Sequence, residues 1–176
     1  NNPASFTDPF GLCPPVELCN LLTATIRVQT RYGHLQSGTT AAGEPQAGDP
    51  LGYVGQTGTA TGNHLHFETR VINAGASEGA VPNAESTPVN PQAVFGLQDP
   101  VPGAGVSSPF GVRDDPFTGQ QEMHNGVDRP ANGGTPVGAA AGGTVVHSGT
   151  VGGYGNVVHV NHRLPLLFVL PAMTGN

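Results

Sequence analysis

His64 and His66 stand two apart in residues 62–68, Gly-Asn-His-Leu-His-Phe-Glu. On an extended strand that spacing puts both imidazoles on one face, the rings starting roughly 6.6 Å apart. One can ligate a metal while the other reaches the water or substrate beside it. Leu65 and Phe67 point the opposite way, so the stretch reads as a half-buried strand with a chemical edge. A second pair, His124 and Asp128, lies in Met-His-Asn-Gly-Val-Asp-Arg-Pro. Gly126 and Pro130 argue there for a turn or short extended run rather than a helix. Either spacing alone would arise by chance roughly once in four chains of this composition, so neither decides anything by itself. Together, two histidines and a carboxylate with one open position make the ligand set of a catalytic zinc site.

The elements that must position these residues are strands. Gly 27 and Pro 17 punctuate short apolar runs, and no window of ten or more residues keeps a helical period. Alternating segments recur between turn signals, at residues 24–30 and 155–160 among others, which predicts an all-β chain. Residues 23–35 read as a strand ending in Arg-Tyr-Gly-His-Leu. Residues 164–171, Leu-Pro-Leu-Leu-Phe-Val-Leu-Pro, are too few to span a membrane and predict a buried terminal strand. The formal charge of −6, with six Arg and no Lys, argues against nucleic acid or an anionic membrane surface as partner. At 176 residues one domain is expected. The chain opens Asn-Asn-Pro without Met or a signal h-region, and so reads as a piece of a longer polypeptide. Cys13 and Cys19 could close a local disulfide or remain two thiols.

Two resemblances emerge along the chain. Residues 1–12, with Asn2-Pro3 and Asp8-Pro9-Phe10-Gly11-Leu12, resemble the end of an Rhs (YD-repeat) core, where such a run precedes a variable C-terminal toxin. Tyr-Gly-His-Leu at 32–35, followed by Gly-Asp-x-x-Gly-x-x-Gly-x-Thr-Gly-x-x-Thr-Gly-x-His-Leu-His-Phe-Glu over 48–68, resembles the second half of the M23 (lysostaphin/LytM-type) zinc metallopeptidases. Arg113 through Asp128, then Gly-Thr-Pro-Val, Ala-Gly-Gly-Thr-Val and the 153–160 strand, resemble that family's first half. The halves stand in reverse order. The expected fold is therefore an antiparallel LytM-like (duplicated hybrid motif) β-domain, circularly permuted, with a break at a hairpin tip. A domain swap would satisfy the same sequence. The divisions expected are a leader with the Cys13/Cys19 loop over 1–20 and a peptidase domain over 21–176. Within the latter lie the second half (21–71), a Pro- and Gly-rich link (72–107), the first half (108–162) and an apolar tail (163–176).

The resemblance implies Zn2+ held by His66, His124 and Asp128. It implies catalytic roles for His34 and His64, one taking a proton from the attacking water and the other bonding the oxyanion. Arg113 could grip a substrate carboxylate, though an ion pair with Asp115 serves equally well. Glu68 could orient a ligand histidine, though a solvated strand end suits it better. His147, His159 and His162 read as ordinary strand residues. The glycines at 52, 55, 58 and 62 predict tight turns and close backbone approach, not a phosphate loop.

The function implied is a zinc endopeptidase acting on the peptides of bacterial peptidoglycan. With the Rhs-like leader it would be toxin cargo, secreted or delivered to a target cell's periplasm or wall. Its partners would then include an immunity protein and a delivery apparatus. A non-catalytic wall-binding module, or a domain that plugs or matures an Rhs shell, are the alternatives.

Overall fold

Alternation along β1 (Thr25–Leu35) decides which face of the sheet is which. Val28, Thr30 and Tyr32 are fully buried on one side, while Arg27, Gln29 and Arg31 project from the other. The computed structural model describes residues 24–38, 41–79, 81–115 and 118–174. The Rhs-like run of residues 1–12, Cys13 and Cys19 lie outside the described residues.

β1 is the middle strand of an antiparallel sheet. On one side it pairs β10 (Gly155–Pro165), from Thr25 opposite Pro165 to Leu35 opposite Asn156, all within one chain. β9 (Thr144–Val151) continues the sheet beyond β10. On the other side β1 pairs β3 (His64–Ile72), with Gly33 opposite His66 and Arg31 opposite Glu68. The far edge of β3 is divided between two partners. β4 (Ser86–Val89) takes Thr69 to Ile72, and β7 (Val127–Pro130) takes His64 to Phe67. Two small pairs flank this sheet: β2 (Pro50–Tyr53) with β8 (Pro136–Gly138), and β5 (Gly111–Asp114) with β6 (Gln121–His124). The all-β antiparallel expectation holds.

The apolar face packs Tyr32, Leu65, Phe67 and Val158 against Leu51, Val54, Val101 and Val137 from β2, β8 and the neighbouring loops. Tyr32 is the hinge of this core. Its ring packs, tilted, with its centroid 5.3 Å from that of Phe67, and its hydroxyl accepts from the Ala140 amide at 2.8 Å. A buried phenol needs such a partner to offset its desolvation. The opposite face is polar yet largely covered, because residues 76–79 and 81–86 lie across it. Arg31 donates to the Val81 carbonyl and to Asn83, Arg70 donates to Ser86, and Arg27 donates to the Ala76 carbonyl.

The C-terminal apolar run differs from expectation. After Pro165 the chain forms a helix, α1 (Leu166–Met173), not a strand. Pro165 pairs Thr25, the Leu166 amide still donates across to the Ala24 carbonyl at 2.8 Å, and the helix follows. An apolar run of eight has no period that separates the two outcomes. The helix buries Val169 and Ala172 beside Val28, Val71 and Val94. No helix among the described residues is long and apolar enough to cross a membrane.

Candidate active site and metal centre

The divided edge of β3 builds the site. Pairing with β7 sets Asp128 directly opposite His66, and directly opposed residues on antiparallel strands project to the same face. The Asp128 amide donates to the Ser108 carbonyl and its own carbonyl accepts from Ser107, so the aspartate is pinned from both sides. His124 ends β6, and the turn at Asn125 and Gly126 brings it back over the same pair. Gly126 is required there: a Cβ would stand 2.5 Å from the Phe67 carbonyl oxygen and 3.0 Å from His66 Cε1. The turn-or-extended reading of residues 124–128 is what forms.

Three ligand atoms converge. Asp128 Oδ1 lies 2.9 Å from His66 Nδ1 and 3.2 Å from His124 Nε2, and the two nitrogens are 3.2 Å apart. A tetrahedral zinc with bonds of about 2.0–2.1 Å has ligand–ligand edges of about 3.3–3.4 Å. The triangle is therefore within a few tenths of an ångström of what such an ion requires. Among the described residues, this is the group of His, Cys, Asp and Glu whose donor atoms close on one point.

His34 reaches the same place by an irregularity. Between Tyr32 and Leu35 the register with β10 slips by one residue, a bulge, and His34 sits at φ 60°, the left-handed region. Strict alternation would have sent His34 into the core with Tyr32; the bulge re-aims it and buries Leu35 in its place. The His34 ring lies 4.7 Å from His64 and 5.8 Å from His66. Non-glycine residues hold such a backbone where the surroundings enforce it, commonly at functional sites. His64 Nε2 is 3.6 Å from Asp128 Oδ1. An open groove of about 430 Å³ runs past these side chains, lined also by Thr59, Asn63, Ser108 and Arg113.

Arg113 lines the groove, but its guanidinium lies on protein carboxylates: Nη1 on Asp128 Oδ2 at 3.1 Å and Nη2 on Glu122 at 3.4 Å. Glu68 is not a solvated strand end. It is 1% exposed and accepts from His66 Nε2 at 3.1 Å, Arg70 at 3.2 Å and the Tyr154 hydroxyl at 2.6 Å. Burial comes from the covering segment and from Tyr154, neither of which sits near Glu68 in sequence. His159 is also less ordinary than expected: it is buried, and its ring packs 4.9 Å from that of His147.

Residues 21–91 and 122–171, more than half of the chain, match peptidase family M23. The chain belongs to that family. It is similar to the DD-carboxypeptidase/endopeptidase Mpg of Neisseria meningitidis serogroup B and to the protein of that name from Neisseria gonorrhoeae. In each case 46% of 57 residues are identical, covering 32% of this chain but only 13% of the relative. No solved structure matches it.

The hydrogen bonds around this M23 site fix the protons. Each of the four imidazoles has one nitrogen on an oxygen that can only accept or is held as an anion. These are His34 Nδ1 on Thr57 O (2.8 Å), His64 Nδ1 on Gly62 O (2.9 Å), His124 Nδ1 on Pro109 O (2.8 Å) and His66 Nε2 on Glu68. That nitrogen must carry the hydrogen, so in each neutral ring the other nitrogen is a lone pair facing the site. Four ring nitrogens and a carboxylate directed into one groove form a binding place for a cation and for transferable protons.

Charge reinforces this. Burial alone would push His66 down, but its bonds to Asp128 and Glu68 outweigh that and hold it up at about 9. Burial would likewise raise both acids. Bonds from His66 and Tyr154 instead bring Glu68 down to about 2, and bonds from His124 and His66 hold Asp128 well below the usual range. His34, desolvated and beside His64 and His66, falls to about 4 despite its bond to the Thr57 carbonyl. In the metal-free protein His66 thus carries two protons, one where an ion would sit.

A pH dependence follows. A base raised in the fold stabilises below its unfolded value and loses that contribution as pH rises, here from about 6.5 through about 9. His34, and His159, lowered to about 3 chiefly by burial, act in the other direction and lose stability as pH falls below about 6.5. Glu68 loses its contribution only as pH falls from about 4.5 toward about 2. The chelated protein should therefore melt highest near pH 6.5, with an alkaline loss on the order of 3 kcal/mol by pH 9. With zinc present the alkaline fall should vanish, since the ion replaces the proton on Nδ1. Melting curves with zinc and with chelator that fall in parallel above pH 7 would contradict this.

Proposed function

We propose that this domain is a zinc-dependent endopeptidase that hydrolyses peptide bonds of bacterial peptidoglycan. The observation that carries the reading is the meeting of His66 Nδ1, His124 Nε2 and Asp128 Oδ1, with His34 and His64 lining the groove beside them. Zinc, when bound by those three residues, supplies Lewis acidity that polarises a carbonyl and makes a water acidic near neutral pH. The chain's own residues do the remainder. One of His34 and His64 receives the proton of the attacking water on its Nε2, and the other, in the form that carries a second proton on Nε2, donates to the developing oxyanion. Arg113 holds the Asp128 carboxylate from behind, keeping Oδ1 directed inward. The groove admits an extended peptide, and the close approach of the backbone at Gly58, where a Cβ would stand 2.3 Å from the Gly155 amide, keeps its wall tight. Likeness to a protein named DD-carboxypeptidase/endopeptidase supports the substrate class.

The reversed order of the motifs supports a circular permutation of the usual M23 order. His-x-His precedes His-x-x-x-Asp, and the ends of the β1–β10 ladder at Thr25 and Pro165 lie where a hairpin turn would join the two strands in the other order. With the Rhs-like leader, the reading extends to a toxin domain acting in a target cell's wall or periplasm, accompanied by an immunity protein and a delivery apparatus. Expression in the periplasm of a sensitive host should then be toxic, and expression in its cytoplasm harmless. Purified sacculi incubated with the domain should release muropeptides or new amino groups, and chelator should stop the release. Sacculi that remain intact with zinc supplied would refute the enzymatic reading.

A further inference from the structure

We propose that Glu68, held by Tyr154, is a positioning residue that fixes which nitrogen of His66 faces the metal and how tightly the centre retains it. The inference rests on the metal-site reading above. The two carboxylate oxygens of Glu68 are divided by task. Oε2 faces the guanidiniums, 3.2 Å from Arg70 Nη1 and 3.8 Å from Arg31 Nη1. Oε1 faces the site, accepting from His66 Nε2 at 3.1 Å and from the Tyr154 hydroxyl at 2.6 Å. A carboxylate that only neutralised two arginines would need neither of the Oε1 bonds.

An unrestrained imidazole could present either nitrogen to an ion. With Nε2–H committed to Glu68, His66 has only Nδ1 to offer, and Nδ1 is the atom in the ligand triangle. His124 makes the comparison clear. Its outer nitrogen donates to a neutral carbonyl, Pro109 O, whereas that of His66 donates to a full negative charge. His66 is therefore the stronger donor of the pair. Tyr154 keeps Oε1 from turning away. It sits at the end of the short 3-10 turn Gly152–Tyr154, which is tied down by the Thr59 amide on the Gly153 carbonyl at 2.9 Å, and its ring packs 5.7 Å from that of His66. Gly126 closes the other side, with a Cβ position only 3.0 Å from Glu68 Cγ. The bond is thus shielded from competing water.

The test measures zinc affinity by competition with a chromophoric chelator, for the unaltered domain, Glu68→Gln and Tyr154→Phe, together with the visible spectrum of each loaded with cobalt. Glu68→Gln should bind zinc about 10- to 100-fold more weakly and shift the cobalt bands. Tyr154→Phe, which leaves the carboxylate and both arginines in place, should weaken zinc by about 3- to 10-fold. A purely structural Glu68 would show a lowered melting temperature with zinc affinity and cobalt bands unchanged, and that result overturns the proposal. Where Glu68→Gln leaves Arg31 and Arg70 too poorly paired to fold, Tyr154→Phe decides, and unchanged affinity there overturns it equally. Failure of the unaltered domain to bind zinc at all would instead remove the metal site, and is recognised without any variant.

Discussion

Replacing His124 with alanine should strip the metal and reduce peptide hydrolysis by about a thousandfold or more, because a three-ligand centre that loses one member no longer holds its ion in a fixed geometry. The fold should survive, since His124 ends an edge strand and, among the described residues, its ring bonds the Pro109 carbonyl, the Ser108 hydroxyl and the other ligands. Asp128→Asn should have a similar effect on turnover but a larger one on stability, because it removes the negative charge from Arg113. Zinc content by mass spectrometry, read beside amine release from sacculi, checks both. An H124A protein that keeps zinc one-to-one and cleaves within a few-fold of normal would contradict the ligand assignment.

His34 and His64 should behave differently. Their loss should leave zinc in place and lower kcat by about 100- to 1000-fold each, the usual magnitude for a general base or an oxyanion donor. Asparagine is the better replacement at position 34, because it tolerates the left-handed backbone there and alanine does not. If the two act in one step, the double variant should be little worse than either single one. Loss of zinc in either variant, or activity within threefold of normal, would count against the roles given to them. Binding of the substrate peptide should be spared, which separates this outcome from a collapsed groove.

Much of the site was legible in the residues because the chemistry lies on short local patterns. His64, Leu65, His66 and Phe67 alternate as a strand requires, and the glycine after Asn125 marks the turn that returns Asp128 toward His124. The resemblance supplied His34, which alternation alone would have directed into the core; the one-residue bulge that turns it outward leaves no signal beyond Leu35 arriving a position late. Glu68 was harder. Nothing beside it in the chain shows that residues 81–86 will lie over that face, or that Tyr154 will descend onto it from 86 positions away. Arg113 reads equally as a substrate clamp or an ion-pair partner of Asp115 until the β5–β6 pairing places Glu122 and Asp128 within its reach. The helix after Pro165 was not legible, because an apolar run of eight reads equally well as a strand or a helix.

The most direct test is anomalous scattering at the zinc absorption edge from crystals of the domain grown with zinc. One peak should stand about 2.0–2.2 Å from His66 Nδ1, His124 Nε2 and an Asp128 carboxylate oxygen. Zinc density elsewhere on the molecule with none between these three side chains would contradict the account.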